Sequence, residues 1–282
     1  MKHFMAELRC NKAAKSKRAI SNVISTIILT GILLTILLVA SFVSLNILNA
    51  QMVNTEFNQA QSNMLLLDST IQDVSLRPGA GGYVQFNERQ GGIGINQTTN
   101  ALSIYVTNGT VGTITNGTDF VTYSTDFNNL IQLVYSGGSL ASAAVNSSTG
   151  YTTLRGDPNA YVSLTQGLGF LRLAQDNGAK IKLDYDRIRI VSTGLIDDQG
   201  TNLVQITFIH LVKGDINAGS GTVNVMVQNV QTIPTTWSFE NQAISILVQN
   251  SAAPKNWTVT PPDGALRTVV VFSEIQVEVS IS

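Results

Sequence analysis

The chain has 282 residues, 44% of them hydrophobic and only 12% charged, with a formal net charge of −1. Cys10 is the one cysteine, and His3 and His210 are the two histidines, so residues 20–282 hold no disulfide, no cysteine nucleophile and no thiolate metal site. Lys2, Arg9, Lys12, Lys15, Lys17 and Arg18 oppose Glu7 in the first 19 residues. The rest carries eleven basic and seventeen acidic residues, a net of −6, which is a poor surface for nucleic acid.

The basic cluster ends at Arg18 and the next charge is Glu56, leaving 37 consecutive uncharged positions. Within them Ile27 to Leu48 is 22 residues, or about 33 Å of helix at ~1.5 Å per residue, against a hydrocarbon core of about 30 Å. Basic residues before an apolar span hold that end in the cytoplasm and send the rest outward. This predicts a single-pass membrane protein with a cytoplasmic N-terminus. Three readings of the segment compete. A secretory signal would be cut near Leu48-Asn49-Ala50, but its apolar core would be shorter. An uncleaved anchor needs only the span.

The third reading rests on Lys17-Arg18-Ala19-Ile20-Ser21-Asn22-Val23-Ile24, which resembles the class III signal of archaeal type IV pilins and archaellins. In that family a membrane aspartyl peptidase removes a basic leader on the cytoplasmic side and leaves the apolar helix on the mature protein. The resemblance matches Lys17 and Arg18 to the basic pair, Ala19 to the small residue before the cut, and Ile20-Ser21 to the new N-terminus. Val23-Ile24 matches a common pair of the family. Ile24 stands where bacterial pilins carry Glu, and Ser25 where Gly is frequent. The resemblance implies a prepilin cleaved after Ala19, with a prepilin peptidase, the membrane and further copies of itself as partners. It also implies an extracellular surface filament as destination.

Past Leu48 an apolar stripe continues through Val53, Phe57, Ala60, Met64, Leu67, Ile71 and Val74, spaced 4, 3, 4, 3, 4, 3. This is a heptad seam that predicts packing on another surface. Either it covers the chain's own head or it forms an assembly seam between subunits, and both can hold at different heights. With no Gly or Pro from Ile32 to Leu76, one helix over residues 20–77 is expected, stopped by Pro78 and the following glycines.

From residue 78 strand signals dominate. Tyr83–Asn87 and Ile93–Gln97 flank a candidate hairpin turn, and Asn108-Gly109, Asn116-Gly117 and Asn177-Gly178 are further turn signals. Residues 180–191 alternate, with a phase slip near Asp186-Arg187 that reads as a bulge. Residues 203–212 are more continuously apolar and read as a central strand. The final stretch places Ile275, Val277, Val279 and Ile281 inward. Residues 136–160 read as an exposed loop or insertion. The fold class expected is α+β: leader 1–19, helix 20–77, and an antiparallel β-rich head 78–282, sandwich or barrel-like.

No catalytic constellation emerges, and no enzyme activity or cofactor is expected. Gly92-Ile93-Gly94 and Gly167-Leu168-Gly169 lack the third glycine of a dinucleotide loop and read as turns or loops. His210 reads as a sheet-face residue. Asp184 and Asp186 read as one strand face and Asp197-Asp198 as a turn, all as solvated carboxylates rather than a calcium site. Sequons at Asn96, Asn108, Asn116, Asn146 and Asn256 are no more than composition alone would give. All lie in the head, where an extracellular destination would make them N-glycosylation candidates. The expectation is a structural subunit of a type IV pilus-like filament. The alternative is a monomeric, membrane-anchored extracellular binding or adhesion module.

Overall fold

The structure, a computed structural model, describes residues 2–89, 91–98, 101–108, 121–138, 144–162, 164–217, 221–240, 242–250 and 254–282. Side chains are described from Val23 onward, except at 88, 121 and 122. The chain divides into two compact units, Met1–Met52 and Val53–Ser282. Helix α1 (Lys2–Ser75) supplies the described part of the first unit and opens the second. It ends two residues earlier than expected, where Leu76 and Arg77 donate to Asp73 and Val74 carbonyls and Gly79 turns the chain at φ +76°.

Fifteen strands follow among the described residues, in three open sheets, so the architecture is α+β without a closed barrel. The largest sheet orders β1 (Gly81–Glu88), β12 (Gly221–Glu240), β15 (Arg267–Ile281), β11 (Thr201–Ile216), β10 (Ile188–Leu195) and β7 (Tyr161–Val162). A second orders β14 (Lys255–Val259), β13 (Ile244–Gln249), β3 (Leu102–Asn108) and β4 (Val121–Phe127). The third orders β2 (Gly92–Gln97), β5 (Ile131–Ser136), β9 (Ala179–Asp184), β8 (Phe170–Gln175) and β6 (Tyr151–Arg155).

The largest sheet changes its buried face at mid-height. Val204, Ile206 and Phe208 of β11 join a core with the four-stranded sheet, whereas Ile209 and Leu211 join a core with α1 and the five-stranded sheet. Strand side chains alternate, so these even and odd positions lie on opposite faces. Strand β15 switches at the same level: Val270 and Phe272 serve one core, and Ile275, Val277, Val279 and Ile281 the other. In β12 the odd residues Val223, Val225 and Val227 and the odd residues Trp237 and Phe239 serve different cores. A bulge between Asn229 and Gln231 shifts the phase and allows this. Residues 203–212 carry apolar side chains at both even and odd positions for that reason: each half of the strand buries a different face.

Several expectations are corrected. The sheets are not purely antiparallel, because β11 and β15 run parallel over their length and β7 runs parallel to β10. Strands β1 and β2 form no hairpin; β1 pairs with β12 and β2 with β5, in different sheets. The slip at Asp186-Arg187 is not a bulge but a crossover between two sheets, from β9 to β10. Gly92 and Gly94 lie in a strand rather than a turn. Residues 136–160 include β6, and their described stretch 144–150 is mostly exposed. Asn177-Gly178 does turn the chain, between β8 and β9, at φ +52° and +128°. Gly109 and the Asn116-Gly117 pair lie outside the described residues.

Candidate functional site

In the first unit every large apolar side chain from Val23 to Met52 is exposed, and α1 is long and apolar enough to cross a membrane. Its threonines add little polarity. Thr26, Thr30 and Thr35 each donate the hydroxyl to a carbonyl three or four residues back, which satisfies the donor inside the helix. A Cβ on Gly31 would meet nothing within 4 Å, so the glycine leaves a shallow notch on the surface. Lys17, Arg18, Ala19, Ile20 and Ser21 lie in α1 by their backbone, and their side chains are outside the described residues.

In the second unit the seam is already occupied. Phe57, Ala60, Met64, Leu67, Ile71 and Val74 are all buried in the core that α1 shares with the sheets, and Val53 is half-buried. Of the two roles expected for the seam, these six residues take the one that covers the chain's own head. Glycines permit the close approach. A Cβ on Gly138 (φ +88°) would stand 2.9 Å from the Phe57 ring, and one on Gly169 would strike the Asp68 carboxylate.

Polar anchors that sequence reasoning missed fix the helix along the same face. Glu56 accepts from the backbone N–H groups of Arg89 (3.0 Å) and Gly91 (3.2 Å) and from Tyr135 Oη (3.2 Å). Asn63 donates to the Gln85 carbonyl of edge strand β1 at 2.9 Å. Asp68 is fully buried and accepts from Tyr185 Oη at 2.6 Å and from Gln72 Nε2 at 3.0 Å, with Arg155 Nε at 3.3 Å. Burial pushes the Tyr185 hydroxyl well above its ordinary range, and the Asp68 charge adds to that. At the helix end, Asn229 donates to the carbonyls of Val74 and Ser75. One signal was available: Glu56 and Asp68 are the first two charges after the apolar gap.

The acidic pairs do other work than expected. Asp184 and Asp186 are buried rather than solvated, and they belong to different contacts. Arg172 Nη2 lies 2.9 Å from Asp184, which Gln132 also contacts, while Asp186 pairs with Arg187. Arg187 stacks 4.2 Å from the Phe170 ring centroid. Burial raises the Asp184 carboxyl despite Arg172, and burial lowers Arg187 despite Asp186. Asp197 forms the expected turn, and its bonds from Thr201 hold its carboxyl below the usual range. His210 does lie on a sheet face, with Nδ1 2.8 Å from Glu274 Oε1. Asn96, Asn108, Asn146 and Asn256 are exposed, and Asn116 lies outside the described residues.

Among the described residues no group of three or more His, Cys, Asp or Glu is placed to hold a metal ion. The arrangement offers a bare apolar helix and a head with its own cores. Comparison with protein-family models, with curated proteins and with solved structures finds no match.

Proposed function

We propose that the chain is a structural subunit of a type IV pilin-like surface filament, held in the membrane as a precursor and cleaved after Ala19 by a prepilin peptidase. The supporting observation is that the seam is consumed by the head while everything apolar from Val23 to Met52 stays exposed. Outside a bilayer, the eighteen large apolar side chains of this stretch at ~1.5–3 kcal/mol each would cost tens of kcal/mol. A bundle of like helices offsets that cost, and self-association is therefore assigned to this segment rather than to the seam. The exposed sequons suit an extracellular head. The described β-sheets, stacked through two cores, suit a sandwich-like head with a structural rather than catalytic role.

N-terminal sequencing of membrane and sheared-surface material tests the proposal. A start at Ile20 is expected. Intact Met1 would favour the monomeric anchored module, and a start at Gln51 would mean ordinary secretion.

A further inference from the structure

Because the largest sheet buries opposite faces at its two ends, the outer face of the end carrying β1 is left uncovered by the described residues. Register fixes which residues meet there. Tyr83 pairs with Met226 and Met226 with Ser280, giving one row across β1, β12 and β15. Gly81 pairs with Gln228 and Gln228 with Glu278, giving the next. A groove of about 500 Å³ opens along these rows, with Asp215 of β11 also in its lining.

Three features set this groove apart. Tyr83 is 69% exposed and Met226 45% exposed, side by side on ordered strands. Gly81 needs no glycine for its own backbone, having no positive φ, and a Cβ there would make only an ordinary 3.5 Å contact with the Val227 carbonyl. Glycine weakens a strand, and what its missing side chain provides is an open floor. Finally, Asp215 and Glu278 both line the groove with no basic partner among the described residues, as at several other surface acids, and Glu278 accepts from Ser280 Oγ at 3.4 Å within it. Gly214 lets Glu278 lie against β11, since a Cβ there would come within 2.8 Å of Glu278 Cγ.

We propose that this groove binds an organic cation, an ammonium or guanidinium group on an aliphatic stem. The electron-rich face of the Tyr83 ring attracts the cation, the Met226 thioether packs on the stem, and Asp215 and Glu278 supply the missing countercharge through charge-assisted hydrogen bonds. An anion is repelled by both carboxylates, and a neutral sugar leaves them uncompensated. The cation could be carried by a Lys or Arg side chain of a polypeptide or by a free polyamine. The site is independent of how the chain is anchored.

The test uses the full chain in non-ionic detergent micelles with ¹³C-labelled methionine methyl groups, the Met226 signal being identified by its loss in Met226→Leu. N-acetyl-arginine amide, spermidine and N-acetylglucosamine are titrated separately. The Met226 signal is expected to shift saturably with the cations, less so at high salt, and not with the sugar. Tighter binding of the arginine amide assigns a polypeptide source, and tighter binding of spermidine a polyamine. The double variant Asp215→Asn/Glu278→Gln should weaken binding by about tenfold or more. Tyr83→Ala should lose it and Tyr83→Phe retain it, with the buried Met64 signal confirming that each variant is folded. No shift with either cation, undiminished affinity in the double variant, or a response to the sugar alone would overturn the assignment.

Discussion

Asp68 shows how much a single charge beside an apolar seam can organise. It lies one residue past Leu67 and four past Met64, on the side of α1 that faces the head, where an unpaired carboxylate would be costly. Its oxygens instead collect a tyrosine hydroxyl, an amide and a guanidinium from α1, the β9–β10 crossover and β6. Replacing Asp68 with Ala leaves the Tyr185 hydroxyl only the longer bond to the backbone carbonyl of residue 68 (3.1 Å) and takes the carboxylate from Arg155 and Gln72, so a loss of about 1–3 kcal/mol is expected on urea unfolding. Tyr185→Phe alone should cost less, and the double variant should cost less than the sum of the two singles. Strict additivity would mean that the 2.6 Å contact contributes nothing. Sequence shows the charge and not its partners, because Tyr185 and Arg155 are 117 and 87 positions away.

At the scale of the element, period and phase decide the outcome. The 4-3 spacing identified the seam of α1, but not what it faces. The answer came from the glycines at 138 and 169, which let loops of the head approach the helix closely. The inward set of β15 from Ile275 to Ile281 was legible because strict alternation leaves only one face to bury. The face switch between Phe272 and Ile275 was hidden, since each half alternates cleanly alone. The same holds at Asp186-Arg187, where a slip in phase is equally consistent with a bulge or a change of sheet. Strand β12 offers a direct test. Deleting Val230, the extra residue of its bulge, would put one half of the strand in the wrong phase for its core. The head is then expected to lose cooperative unfolding and near-UV circular dichroism. A deletion variant with native spectra and stability would show that the bulge does not set the phase.

For the whole molecule, the division at Met52 separates the exposed apolar helix from a self-contained head. Residues 53–282 contain the helix seam, both cores and all three sheets. Produced without residues 1–52, they are expected to be soluble and to unfold in one cooperative transition by calorimetry. Aggregation or a non-cooperative melt would show that the apolar segment is needed for the head to fold. Folding should be slow relative to helical proteins, because β15 must enter between β11 and β12 to complete both cores.

The sequence by itself determined what depends on composition and local period: an apolar span preceded by a basic cluster, a helix ended near Pro78, a seam, a β-rich acidic head and an inward-facing final strand. These follow from side-chain transfer energies and backbone geometry acting over a few residues. Tertiary structure alone decided that the seam belongs to the head, that β11 and β15 run parallel, and that Asp184 and Asp186 are buried with arginines. It also decided that Tyr83 and Met226 stand over an uncovered groove. Each of these depends on which distant segment supplies the neighbour, and alternation along a strand is the same whatever lies against it.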